Sequence, residues 1–296
     1  MTSDFLVLHQ EAPAFLIKHM RGLLTTLTLI FLLHAGFLPA DPFDPAKLQG
    51  LGDTRYHQFE SETLGHALHI YVRVPEPSKQ NPDRRYPTVY LLDGGINFPL
   101  LSSYYHYLRI GGEVPEMILV GISYGSDTFE GGNFRSSDFT APSKEREWWG
   151  NASIFQGVLE HELLPMIESE YASNPGQRII FGQSLAGQYV LYSALTRPEM
   201  FWGHIASNPA LHRNLGYFLG WKGGPEMPLE ATHLFVSEGE FNDQRFKQPA
   251  TEWIEFWSDP ERKKPFVLEV QTLSGQSHLS SVTESFRQGL RWLMPE

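Results

Sequence analysis

The stretch "RIIFGQSLAGQYVLYSAL", residues 178–195, predicts a buried strand that turns sharply into a helix. Apolar, β-prone residues come first, and Ser184 follows among small residues. Gly182, Ala186 and Gly187 leave space around a serine held on a strained strand-to-helix corner, where larger side chains would collide. This pattern is typical of a nucleophilic serine, and an ordinary turn serine is the alternative.

Segments of strand character alternate with helical segments along the rest of the chain. The strand-like runs are 66–75, 86–95, 116–125, 178–184, 202–210, 231–240 and 265–275. Apolar residues recur at helical spacing over 153–171, where we expect Pro165 to kink the helix, and over 281–293. Apolar strands separated by helices predict an α/β fold with a mostly parallel central sheet, covered by helices on both faces.

His278 is the candidate base for the serine. In a parallel sheet, functional sites form outside the carboxyl ends of the strands, and His278 lies between the last predicted strand and the last helix. A neutral imidazole can take the serine proton and return it to a leaving group. A surface-loop histidine, one of twelve in the chain, is the alternative.

An acid between the serine and the histidine would orient the imidazole. The segment "LFVSEGEFND", 234–243, ends a predicted strand and offers Glu238, Glu240 and Asp243. Spacing does not choose among them; we favour Asp243, with Glu240 as the alternative acid, and solvated loop acids are the remaining interpretation. The chain order serine, acid, histidine is that of the α/β-hydrolase fold, which we therefore predict.

Two backbone N–H groups are candidates for stabilising an oxyanion. The N–H of Leu185 opens the helix after Ser184 and would be one donor. The segment "YLLDGG", 90–95, ends a strand in two glycines, which allow the backbone to approach a substrate closely. The second donor is then Gly95 or Ile96, and a simple strand-to-loop turn is the alternative.

These segments, in this order, resemble the esterase family of α/β-hydrolases that includes enterochelin (siderophore) esterase-like hydrolases. The resemblance covers Tyr71 to the C-terminus. It depends on "YLLDGG", on "RSSDFTAP" (135–142), on the serine segment, on "LFVSEGEFND" and on "LSGQSHLSSVTESFRQGLRWL". It implies Ser184 as nucleophile and His278 as base. The acid does not transfer, because Asn242 stands where relatives often carry one, and some relatives use a Ser–His pair.

The combined interpretation is a serine hydrolase that cleaves a carboxylic ester through an acyl-enzyme, without a cofactor. The resemblance implies an ester of the siderophore type or a related one, and the lack of an obvious long lid insertion in the sequence favours small or medium esters. We expect Arg135 to bind an anionic or catechol-like substrate group, and a structural ion pair with Asp138 is the alternative. An acyltransferase that uses the same acyl-enzyme, and a non-catalytic binding protein of this fold, are the alternative functions.

Composition excludes several other classes of protein. The 296 residues include 23 Lys and Arg against 34 Asp and Glu, a net charge of −11, which argues against a nucleic-acid surface. The chain has no cysteine, so a disulfide, a thiolate nucleophile and a Cys-ligated metal are excluded. "HELLP", 161–165, begins like a zinc-protease helix but lacks the second histidine, and we expect no metal site.

The first forty residues differ in character from the rest. Residues 20–40 begin with a positive charge at Arg21, continue with the apolar run Leu23–Leu33, and end in small residues before Asp41. That is the layout of a secretory signal peptide. The apolar run is shorter than the roughly 20 residues needed to span a bilayer.

We therefore predict that 1–40 is an N-terminal extension plus a signal peptide, with translation starting at Met20 and cleavage after Ala40. Residues 41–296 would form a single α/β-hydrolase domain. The protein would be exported to the periplasm or the outside, without stable membrane insertion after cleavage. An N-terminal membrane anchor is the alternative, and nothing in the sequence indicates the oligomeric state.

Overall fold

A central eight-stranded sheet organises the part of the chain that the computed structural model describes, residues 44–295 without 80, 82, 145 and 223–231. Its strands in chain order are β1 (Asp53–Ser61), β2 (His66–Val74), β3 (Tyr86–Leu91), β4 (Ile118–Ser123), β5 (Ser173–Gln183), β6 (Gly203–Ser207), β7 (His233–Gly239) and β8 (Val267–Leu273). Across the sheet they follow the order β1-β2-β4-β3-β5-β6-β7-β8.

Most neighbouring strands are parallel, as predicted. Only the β1–β2 and β2–β4 pairs are antiparallel within the described sheet, and the pairs from β4 through β8 are parallel. The sequence pattern does not predict β1. Its "DTRYHQFES" is mostly polar because an antiparallel edge strand can leave its surface in water.

Eight α-helices are defined in the described residues. They are α1 (Gly94–Ile110), α2 (Arg135–Asp138), α3 (Ala152–Val158), α4 (Leu164–Glu170), α5 (Leu185–Thr196), α6 (Leu215–Leu219), α7 (Gln244–Ser258) and α8 (Val282–Leu293). Helices α1 and α7 are not predicted from the sequence, since each contains an internal proline, Pro99 and Pro249. The helix predicted over 153–171 is divided by a π-helical turn, Leu159–Leu163, just before Pro165.

Two hydrophobic cores lie on opposite faces of the sheet, because successive side chains of a strand point to opposite faces. On one face, Phe181 of β5 and its neighbours pack against α1 and α8. On the other, Ile180 and its neighbours pack against α3 to α7. Helices therefore cover both faces, as predicted, and the polar carboxyl ends of the strands are left at one edge.

The described residues from Pro45 onward belong to one compact unit. The predicted extension, signal peptide and cleavage site within 1–40 lie outside the described residues, and those assignments stay predictions. Within the described part of the chain, none of the helices combines the length and hydrophobicity needed to cross a bilayer.

Candidate active site

Ser184 occupies a strained corner between β5 and α5. Its backbone has φ 59° and ψ −114°, a conformation that side-chain-bearing residues rarely adopt. The corner is sterically closed: a Cβ at Gly182 would collide with the carbonyl oxygen of Ala186, and one at Gly187 would lie 2.9 Å from the Ser207 oxygen. The small residues around the serine are therefore required by the backbone path.

Backbone hydrogen bonds hold the corner in place. The N–H of Ser184 donates to the carbonyl of Ser207 at 2.9 Å, which joins the end of β5 to the end of β6. The carbonyl of Ser184 accepts from the N–H groups of Gln188 at 3.0 Å and Ala210 at 2.9 Å. Surrounding contacts thus stabilise the unfavourable φ and leave the side chain half-buried at the carboxyl edge of the sheet.

The structure brings His278 to Ser184. The loop after β8 carries the imidazole across β7 and β6, and its Nε2 lies 2.9 Å from Ser184 Oγ. The side-chain amide of Gln183 donates to the backbone carbonyl of His278, so the residue beside the serine also anchors the histidine. This is hydrogen-bonding distance for proton transfer between a nucleophile and its base.

Asn242 is the partner of the second imidazole nitrogen. Its Oδ1 lies 3.1 Å from His278 Nδ1, and a side-chain amide oxygen can only accept. Nδ1 therefore carries the proton and donates it to Asn242, which leaves the lone pair of Nε2 directed at the Ser184 hydroxyl. The imidazole is held in the tautomer that a general base needs.

Neither acid favoured from the sequence faces His278. Asp243 is exposed and caps α7, its Oδ1 accepting from the Arg245 N–H at 2.8 Å. Glu240 is also exposed, and its carboxylate accepts from the Ser274 hydroxyl at 2.9 Å and the Gly275 N–H at 2.8 Å. The preference for Asp243 is corrected, because an acid just before a helix finds unsatisfied N–H groups to cap. Asn242 stands where relatives often carry an acid, and this departure from the family pattern is the sequence signal that points to Asn242 as the partner of His278.

Aromatic packing fixes the plane of the imidazole. Phe246, in the first turn of α7, stacks on His278 with 4.1 Å between ring centroids and 24° between planes. The ring of His212 contacts Phe246 edge-on, with 4.8 Å between ring centroids. Sequence periodicity does not predict this contact, since Phe246 is distant from His278 in the chain.

The electrostatic environment keeps both histidines neutral near pH 7. Burial lowers the pKa of His278 below its ordinary value, so the imidazole is available as a base. Burial, reinforced by Arg245 and Arg213, lowers the pKa of His212 to about 4. Consequently His212 adds no charge beside His278 over the neutral pH range.

The two candidate oxyanion donors come from neighbouring strands. Leu185 opens α5 directly after Ser184, and Gly95 is the second residue of α1, the helix that follows β3, which pairs with β5. The Leu92 N–H donates to the Phe181 carbonyl at 3.1 Å, which holds the two strand ends side by side. Of the two alternatives after β3, Ile96 N–H is engaged by the Asp93 carbonyl at 3.1 Å, leaving Gly95 the better candidate.

Arg135 is paired with Asp93. Two hydrogen bonds of 2.7 Å join the guanidinium to the carboxylate, and Asp93 is the left-handed residue that directly precedes α1, the helix that contains Gly95. The alternative of an ion pair with Asp138 is corrected, because the carboxylate of Asp138 accepts from Tyr124 at 2.9 Å and meets His66 at 3.1 Å. Arg135 stays partly exposed beside Asp93, and its substrate-binding role stays a prediction.

The described ranges of the chain contain no candidate metal site. There, three or more His, Asp or Glu side chains nowhere converge in a way that could hold a metal ion. The chemistry that the site's geometry offers is that of a hydroxyl, an imidazole and backbone N–H groups.

The serine hydrolases of α/β-hydrolase type are defined by a serine on a strained strand-to-helix corner. In these proteins the serine is hydrogen-bonded to a histidine that follows the last strand. The chain belongs to the family described as Putative esterase, whose family model matches residues 61–279, well over half of its length. The family predicted from the sequence is confirmed.

Two curated relatives and one solved structure illustrate the similarity. The chain is 32% identical over 209 residues, 64% of its length, to "Ferri-bacillibactin esterase BesA" of Bacillus subtilis (strain 168). It is 25% identical over 183 residues, 58% of its length, to "Apo-salmochelin esterase" of Escherichia coli O6:H1. These alignments span 66% and 56% of the relatives' own lengths. The fold is similar to that of the BES protein from Bacillus cereus, with a TM-score of 0.69 at 22% identity, over 88% of this chain and 99% of that one.

Proposed function

We propose that this protein is a serine esterase that hydrolyses carboxylic esters through an acyl-enzyme. The observation that carries the proposal is the 2.9 Å approach of His278 Nε2 to Ser184 Oγ, with Nδ1 held by Asn242. Membership of the esterase family supports it.

The geometry supports a two-step mechanism. His278 Nε2 takes the hydroxyl proton as Ser184 Oγ attacks the ester carbonyl, and the tetrahedral oxyanion is stabilised by the N–H groups of Leu185 and Gly95. The imidazolium then protonates the leaving alcohol, and the acyl group stays on Ser184. In the second step His278 activates a water molecule, whose attack releases the acid and restores the serine.

Three exposed apolar side chains support an ester with bulky apolar or aromatic groups. Ile96, Phe241 and Leu279 have 68%, 68% and 76% of their surfaces exposed. Each is next in sequence to a residue of the candidate site, namely Gly95, Asn242 and His278. Large apolar side chains left in water at a functional site favour an apolar ligand that covers them.

We propose siderophore esters as the substrate class. The support is the similarity to two relatives that are named as esterases of ferri-bacillibactin and apo-salmochelin. Arg135, partly exposed and paired with Asp93 at the start of α1, is the cation we assign to an anionic or catechol-like group of such a substrate. Its bidentate pair with Asp93 fixes the guanidinium in one orientation.

The test compares the wild-type protein with Ser184→Ala on p-nitrophenyl esters, feruloyl esters, and linear and cyclic siderophore esters. We expect hydrolysis by the wild type alone, together with covalent labelling of Ser184 by a fluorophosphonate. If the wild type shows neither hydrolysis nor labelling, the protein is a non-catalytic binding protein of this fold. Product partition toward an added alcohol, in place of water, would identify an acyltransferase instead.

We also propose that the protein is exported to the periplasm or the outside, as the signal-like residues 20–40 indicate. The mature protein would be a single domain, 41–296. Expression of the full chain followed by fractionation and N-terminal sequencing tests this. We expect exported protein that begins at Asp41, whereas an uncleaved chain in the membrane fraction would show an anchor.

A further inference from the structure

A buried carboxyl group lies behind the asparagine that holds the histidine. Glu238, the penultimate residue of β7, is only 6% exposed. Its Oε1 lies 3.3 Å from Asn242 Nδ2, while Asn242 Oδ1 lies 3.1 Å from His278 Nδ1. A continuous series of hydrogen bonds therefore runs from Ser184 through His278 and Asn242 to Glu238.

The orientation of Asn242 is fixed by two acceptors on its nitrogen side. Besides Glu238, Asn208 Oδ1 lies 3.4 Å from Asn242 Nδ2, and that oxygen also accepts from the Gly239 N–H at 2.8 Å. An amide rotated by half a turn would place its oxygen against two acceptors and its NH₂ against the Nδ1 proton. With Asn208 Oδ1 and the ionised Glu238 carboxylate on its nitrogen side, Asn242 presents its oxygen to His278.

An asparagine alone provides orientation without charge. In a Ser–His–Asp triad, the carboxylate both sets the tautomer and stabilises the imidazolium that forms in the transition state. Asn242 supplies only the first of these. The carboxylate of Glu238, on the far side of the Asn242 amide, can stabilise the imidazolium at longer range. In a partly buried site such a charge is weakly screened.

We propose that Glu238 is a positioning residue of the active site, whose carboxylate acts through Asn242 to stabilise the imidazolium of His278 during turnover. This inference rests on the proposed esterase function. Glu238 is thus the acid of the site. Asn242 lies between it and His278, at the position where the acid of a triad contacts the histidine directly.

The charged groups around this series come from three other elements. Lys247 of α7 lies near Glu238 and donates to the Glu240 carbonyl at 3.2 Å. Arg245 of α7 meets His212 Nε2 at 3.2 Å, and Arg213 adds to the positive potential there. Glu240 is exposed on the loop after β7.

Glu238 and His278 are the two groups of this series whose titration bears on the base. Burial raises the pKa of Glu238 to about 7 and lowers the pKa of His278, whereas the pKa of His212 is about 4. His278 becomes an active base first as the pH rises. Ionisation of Glu238 then adds the stabilising charge, so turnover should increase in two steps.

The experiment measures kcat/KM on a p-nitrophenyl ester from pH 5 to 9 for the wild type, Glu238→Gln and the matched control Glu240→Gln. We expect a second rise near pH 7 in the wild type and in the control, whose exposed charge is screened. In Glu238→Gln this rise should be absent, leaving activity about 10-fold lower at pH 8.5 and within 2-fold at pH 5.5. An equal loss at every pH, or an unchanged profile, would overturn the proposal.

The double variant Glu238→Gln/Asn242→Asp distinguishes electrostatics from folding. It places a carboxylate directly against His278 Nδ1, and the amide introduced behind that carboxylate can still donate to it. We expect activity at pH 8.5 to return at least to the wild-type level, with a single ionisation in the profile. Continued loss in a variant that melts like the wild type would count against the proposed role.

An NMR titration of the His278 imidazole, without substrate, separates this inference from the esterase proposal. We expect the wild-type ring resonances to report two ionisations and those of Glu238→Gln to report one. Two ionisations in a protein that hydrolyses no ester would refute the proposed function and retain the coupling. A single ionisation in an active esterase would refute the coupling and retain the function.

Discussion

The serine corner and the loop after β7 both contribute to the site, but different forces shape them. At the corner, steric limits on the backbone leave one path, in which Ser184 has φ 59° and Gly182 has no space for a side chain. In the loop, four neighbouring polar side chains compete for partners: Glu238, Glu240, Asn242 and Asp243. Steric limits therefore allow only one backbone conformation at the corner. In the loop, small differences in chain direction decide which side chain reaches His278.

The largest expected effect is at the corner. Ser184→Ala removes the nucleophile and should lower kcat by about 10⁴-fold or more, with little change in thermal stability because the φ strain is unchanged. Activity assays and thermal melting check both statements. The control is Ser169→Ala, an exposed serine on α4, which should retain full activity; a large residual activity in Ser184→Ala would refute its role as nucleophile.

Gly182→Ala tests the steric constraint on the corner. The new Cβ would collide with the Ala186 carbonyl oxygen, and we expect a loss of roughly 2–4 kcal/mol in the free energy of unfolding. Chemical denaturation measures this loss. In Gly157→Ala, within α3, the new methyl group meets no atom within 4 Å, and that control should be neutral or slightly stabilised.

The loop is tested by a pair of neighbouring substitutions. Asn242→Ala removes the acceptor for His278 Nδ1 and should lower kcat by about 10- to 100-fold, equivalent to roughly 1.4–2.7 kcal/mol. Asp243→Asn keeps a good helix cap and should stay within 2-fold of the wild type in kcat. Kinetics on one ester decide the outcome: the reverse ranking would restore Asp243 as the partner of the base.

The smallest expected effect concerns stability and pH at Glu238. Because the folded-state pKa is raised from 4.5 to about 7, the folded protein holds a proton that the unfolded chain releases between these values. Wild-type stability therefore falls as the pH rises through this window. Glu238→Gln has no buried carboxyl group to ionise, so its free energy of unfolding at pH 8 should exceed that of the wild type by roughly 1 kcal/mol, after allowance for solvent screening.

Urea denaturation at pH 5 and pH 8 measures this difference, and Glu240→Gln is again the control. A variant that is more stable yet slower would mark Glu238 as a group retained for activity at the expense of stability. Equal stability of Glu238→Gln and the wild type at both pH values would indicate that the buried carboxyl carries no ionisation penalty.

The sequence predicts the α/β fold, the parallel sheet, and the positions of Ser184 and His278 after their strands, because these follow from hydrophobic periodicity and steric limits. It does not predict α1 and α7, whose internal prolines conceal their helical pattern. It also does not choose the partner of His278. That choice depends on distances between side chains at 238, 242 and 243, and residue type alone favours a free carboxylate over a buried amide.

The amide of Gln183 has a mechanical consequence. It donates a hydrogen bond to the backbone carbonyl of His278, so the segment that carries His278 is linked to the residue next to Ser184. Because this hydrogen bond links the two segments, we expect a displacement of the end of β5 to move the imidazole with it and to maintain the 2.9 Å spacing between His278 Nε2 and Ser184 Oγ. For the esterase proposed above, we expect substrate to enter and product to leave while Ser184 and His278 stay aligned.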